Sequence, residues 1–148
     1  MLTGFVKMNA IEAAVEKWRH EEVVVLPPIE PSIVTAKFRK IGRQCSNDVL
    51  TLYAATGGME DGESDSHLWS LWSLEKVISE TSRYSRPYIL FADFSINSHL
   101  YCFTYENEEE SSVRIDYVNG EEPELVAGSV EEFFQLFNTE AGKLRMFE

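Results

Sequence analysis

The sequence predicts an α+β domain: helical signals dominate the first half, strand signals the centre, and one further helix follows. Three observations predict it. Phe5, Met8, Ile11, Val15 and Trp18 recur at steps of three and four, the spacing of one helix face. Arg86 to Tyr105, RPYILFADFSINSHLYCFTY, is two apolar runs around a short polar centre, the pattern of a central hairpin. Ser129 and Glu132 form an S-x-x-E capping box ahead of Val130, Phe133, Phe134 and Phe137, so a strongly apolar helix closes the fold.

The first helix is expected over residues 5–20, packed on its own domain. Val23 to Leu26 is a β-branched run long enough only for an edge strand or an extended link. Pro27-Pro28 ends it, because proline cannot donate to a ladder. Pro31 suits the first turn of a second helix. Ile33, Val34, Phe38 and Ile41 give that helix an apolar face, and Lys37, Arg39, Lys40 and Arg43 a basic one. Ser46 or Asn47 caps a third helix, Asp48 to Ala55, with Leu50, Tyr53 and Ala54 inward. Gly57-Gly58 stops it through the left-handed cap conformation. MEDGESDSH is then a solvated acidic loop. It lacks the ligand order and closing glutamate of a calcium loop.

Leu68 to Trp72 reads as a strand. Trp69 and Trp72, three apart, cannot share a face of it. Both are expected in the core, with an interface anchor as the functional reading of either. Ser73 caps a helix through about Ser82 with Leu74, Val77 and Ile78 inward. Tyr88 to Phe94 is apolar throughout, as in a strand covered on both faces. Ser95 to Ser98 turns, and Leu100 to Tyr105 returns. Glu106, Glu108, Glu109 and Glu110 would keep a sheet edge apart from other chains. Val113, Ile115 and Tyr117 alternate with Arg114 and Asp116, predicting a half-exposed strand. Asn119-Gly120 is a turn signal, and Leu125 to Ala127 a last short strand. Residues 139–148 read as a tail.

At 148 residues the chain fits a single domain, 1–148, that needs no metal or disulfide to fold. It carries 25 acidic against 13 basic residues, a net charge of −12. That charge opposes binding to nucleic-acid phosphates and to anionic lipid, and it would steer a basic partner inward. With no span of apolar residues long enough for a membrane and no leader pattern, the cytoplasm is the expected compartment.

Little in the sequence points to catalysis, and no cofactor or metal is expected. His20, His67 and His99 are too far apart for an H-x-x-x-H metal motif. No nucleophile elbow or phosphate-binding loop is present. Asp93, Asn97 and His99 at the hairpin turn admit three readings. They are turn residues that mimic backbone hydrogen bonds, a binding spot, or an Asp–His general base. No nucleophile or oxyanion site accompanies them.

Four pieces in order resemble the SUKH superfamily, which holds the Smi/Knr-like cell-wall regulators and many bacterial toxin-immunity proteins. They are Leu50 to Gly58, Trp72 to Val77, Ile89 to Phe103 and Val126 to Leu136, within residues 46–138. Two features differ from the family pattern. Pro27-Pro28 lies further upstream of Gly57-Gly58, and Asn97-Ser98-His99 replaces a Gly-Asp turn. The resemblance implies a central, mostly antiparallel sheet flanked by helices. It also implies a non-enzymatic protein-binding role, most often neutralising a toxin such as a nuclease. The alternative is a regulatory scaffold or a sensor of a small ligand or peptide. On exposure and charge, the expected partner contacts are Glu60, Asp61, Glu63 and Asp65 in the loop, Trp69, and Asp93, Asn97 and His99 at the turn.

Overall fold

A computed structural model describes residues 8–83 and 86–146. The first helix, α1, spans Ala10–His20. It starts at Ala10 because Asn9 and Glu12 form a reciprocal capping box: Asn9 Oδ1 accepts from Glu12 N at 2.8 Å, and Glu12 Oε1 accepts from Asn9 N at 3.3 Å. Ile11, Val15 and Trp18 are buried as the periodicity predicts. Met8 precedes the cap and is exposed; Phe5 lies outside the described residues.

Two more helices follow, α2 at Pro31–Lys40 and α3 at Asn47–Ala55. The buried face of α3 is Val49, Leu52 and Tyr53, not Leu50, Tyr53 and Ala54. Asp48 sets that rotation. Its carboxylate accepts from Ser111 N at 3.1 Å, from Val130 N at 3.0 Å and from Ser46 Oγ at 2.6 Å. It therefore ties three distant segments together, and it serves the N-terminal dipole of a second helix as well as its own.

Gly57-Gly58 acts differently from a helix stop. Thr56 is the C-cap of α3, in extended conformation. The glycines are required because other backbone comes too close. A Cβ on Gly57 would lie 2.6 Å from Pro27 O, and one on Gly58 would lie 2.3 Å from Trp72 O.

The strands are β1 (Trp69–Leu71), β2 (Ile89–Phe94), β3 (His99–Tyr105), β4 (Ser111–Asp116) and β5 (Glu124–Ala127). They form a five-stranded antiparallel sheet in sequential order, with helix α4 (Leu74–Ser82) crossing between β1 and β2. Helix α5 (Val130–Thr139) packs against β4, β5 and α1. The architecture is thus α+β, with helices flanking an antiparallel sheet.

Trp69 lies at the centre of the core. Its ring lies 5.9 Å from Trp18, 5.8 Å from Tyr101, 5.8 Å from Phe133 and 5.0 Å from Phe137. Each such buried aromatic contributes ~1.5–3 kcal/mol by burial alone. The ladder between β2 and β3 jumps from Leu90↔Cys102 to Ala92↔Tyr101, leaving Phe91 as a bulge stacked on Phe103 at 3.8 Å.

Two expectations for the end of the chain are corrected. β4 is covered on both faces: Asp116 is buried, accepting from Val118 N at 2.8 Å. Residues 139–146 are not a loose tail. Ala141–Leu144 forms a 3-10 turn, Leu144 and Met146 are buried, and Tyr101 Oη donates to Leu144 O at 2.7 Å.

Candidate functional site

The acidic loop and the hairpin turn, far apart in sequence, form the two walls of one groove. β1 pairs with β2 through Trp69↔Phe94 and Ser70↔Asp93. That register sets Leu68, just before β1, beside Ser95, just after β2, and Ser95 N donates to Leu68 O at 2.8 Å. The groove, of about 350 Å³, is lined by Glu63 and Ser64 on one side and Ser95, Ile96 and Asn97 on the other. Leu68, Ser70, Lys76 and Asp93 also line it.

The loop is held from behind. Glu63 Oε1 accepts from Val24 N at 2.6 Å, and Glu21 accepts from Ser66 N and Oγ at 2.9 Å each. Glu60 and Asp61 remain exposed. They face a second groove of about 640 Å³ beside Pro27, Ile29 and Leu74. The loop is therefore an acidic ridge between two depressions.

The turn carries an unusual backbone. Ser95, Ile96 and Asn97 take φ values of 49°, 54° and 63°, and Leu68 takes 62°. The left-handed region is costly for a residue with a Cβ, and most so for a β-branched one such as Ile96. Hydrogen bonds over-determine the turn. Ser98 N donates to Phe94 O at 2.9 Å, Ser98 Oγ to Ser95 O at 2.8 Å, and Asn97 N to Asp93 Oδ1 at 3.3 Å. The last is the side-chain mimicry expected of a turn aspartate. Ile96 is 93% exposed and Leu68 48%, so both stand as apolar posts at the groove.

Asp93 is only 6% exposed yet lines the groove. Its Oδ2 accepts from Trp72 Nε1 at 2.6 Å, and Lys76 Nζ lies 4.6 Å from the centre of the same indole.

Three expected contacts take other places. Asp65 is not a solvated loop carboxylate. It is buried and accepts from Trp18 Nε1 at 2.9 Å, His67 N at 2.8 Å and Trp69 N at 3.0 Å. Burial pushes its carboxyl above the usual range, and the hydrogen bonds from Trp69, Trp18 and His67 oppose that rise. Trp69 is fully buried and offers no surface.

His99 pairs with Phe94 while Asp93 pairs with Leu100, so Asp93 and His99 point to opposite faces of the sheet. They form no general-base dyad in this geometry. His99 is buried against Phe94, with ring centres 4.9 Å apart, and its Nε2 lies 3.1 Å from Tyr101 Oη. Burial pushes its pKa down, partly opposed by the Asp93 charge.

Leu68, Ser70, Lys76 and Ile96 line the groove without having been singled out as contacts. An isoleucine at the centre of the polar S-I-N-S turn was the available signal for Ile96. Among the described residues, no three His, Cys, Asp or Glu side chains could hold a metal ion. None of the described helices is long and apolar enough to cross a membrane. No protein-family model matches the chain, and no curated protein matches it.

Proposed function

We propose that this chain is a non-enzymatic protein-binding domain of the SUKH type, acting as an immunity or immunity-like protein that occupies a basic toxin domain, a nuclease being the fitting class. The observation that carries the reading is the grooved acidic face. Glu63 shares a groove with the strained turn of Ile96 and Asn97, Glu60 and Asp61 line the groove on the other side of the ridge, and Leu68 and Ile96 are exposed apolar side chains that the core does not use. Apolar posts within an acidic rim suit a partner with basic and apolar groups. A nuclease's substrate cleft is such a surface, and an acidic protein can fill it as a phosphate mimic. The four motif blocks that resemble SUKH proteins support the same reading. The sensor alternative has less support, because Trp69 and Tyr101, which would have lined a ligand cleft, are both fully buried.

The test is to co-express the chain with a toxin-like protein encoded beside it and purify the pair. The expected outcome is a 1:1 complex whose association rate falls steeply with salt. A toxin that stays active and elutes alone sinks the immunity form.

A further inference from the structure

We infer that the groove between Leu68 and Ile96 is a socket for one arginine side chain of a protein partner, with Asp93 as the charge at its floor. The inference rests on the protein-binding reading and specifies its chemistry. Asp93 is more than nine-tenths buried and lines the groove. A carboxylate offers about four acceptor positions. Asp93 has two donors, Trp72 Nε1 at 2.6 Å and Asn97 N at a long 3.3 Å. Among the described residues no cation forms an ion pair with it. A buried carboxylate without a counter-charge is costly, and a cation delivered from outside would offset that cost.

The walls select the kind of cation. Leu68 and Ile96 are exposed and apolar, and both are held in the left-handed region at 62° and 54°. A planar, weakly hydrated guanidinium fits between alkyl posts better than a compact, strongly hydrated ammonium. Glu63 at the rim adds a second negative charge. Lys76, the cation on the lining, is held over Trp72 and forms no ion pair among the described residues. It opposes an incoming charge and so limits affinity.

The test is to titrate the 15N-labelled chain with N-acetyl-arginine amide and with its citrulline and lysine counterparts, following backbone amide shifts. Arginine amide should give saturable shifts at Leu68, Asp93, Ile96 and Asn97. Neutral citrulline should bind about tenfold more weakly or worse, the ratio for ~1.4 kcal/mol. The Glu106–Glu110 turn, acidic but outside the groove, should stay still. Ile96→Ala, at an exposed side chain, should weaken binding, and Lys76→Gln, which removes the cation over Trp72, should tighten it. Asp93→Asn should abolish binding, with spectral dispersion reporting whether it folds. Equal binding of citrulline or lysine overturns the socket, as do shifts at Glu106–Glu110 that match those at the groove. So does indifference to both Ile96→Ala and Lys76→Gln. If arginine fails to bind while the toxin complex still forms, the socket falls and the protein-binding reading stands. If arginine binds and no complex forms, the immunity reading alone falls.

Discussion

Two buried aspartates each accept a hydrogen bond from a tryptophan indole, and they do different work. Asp65 receives Trp18 and two backbone N–H groups, all within 3.0 Å, under the junction of α1 and β1. Asp93 receives Trp72 tightly and one backbone N–H at 3.3 Å, and it lines an open groove. The first carboxylate is spent on the fold. The second keeps acceptor capacity facing outward. Burial alone does not separate them, since Asp65 is 5% exposed and Asp93 6%. What separates them is how many of their lone pairs the fold consumes.

The largest expected effect exploits that difference. Asp65→Ala leaves the Trp18 indole N–H and two backbone N–H groups without acceptors in a closed site, and should cost about 3 kcal/mol or more in urea unfolding. Asp93→Ala opens onto the groove, where water can replace the carboxylate, and should cost only about 1–2 kcal/mol. Equal losses would erase the distinction.

Ile96→Gly is a smaller and sharper probe. Glycine removes the left-handed penalty of about 1–2 kcal/mol but adds unfolded-state entropy, so stability should stay level or rise by up to about 1 kcal/mol. Partner binding should fall about tenfold, as for loss of an apolar anchor. A clear loss of stability would show that Ile96 serves the fold.

The smallest effect is in pH. The folded-state pKa of Asp65 is raised above its ordinary 3.8. The native state therefore takes up a proton before the unfolded state does. Relative to Asp65→Asn, the wild type should gain stability as pH falls from 7 through the range above 3.8. A relative loss over that range would mean the hydrogen bonds outweigh burial.

Much of the fold was legible in the sequence because periodicity and capping are local. Ser73, Ser129 and Pro31 mark helix starts as expected, and Tyr101 and Phe103 share the core face of β3. What was not legible depends on contacts distant in sequence. The rotation of α3 is set by Asp48 reaching Ser111 and Val130. The need for Gly57-Gly58 comes from Pro27 and Trp72 backbone. In the candidate site, Glu63, Asp93 and Asn97 line one groove, and Glu60 and Asp61 line the neighbouring one. Asp65 and His99 turned inward because indole and aromatic partners elsewhere in the chain claim them. Charge and loop position could not separate Asp65 from its neighbours; only the position of Trp18 does.

The most direct measurement of the central claim is toxin rescue by two charge-reversed variants with the same change in net charge. One carries Glu60→Lys and Asp61→Lys on the ridge, and the other Glu108→Lys and Glu110→Lys on the β3–β4 turn. The account predicts that the ridge variant keeps its fold but no longer protects cells, while the turn variant protects as the wild type does. Protection lost equally in both, or retained in both, would contradict it.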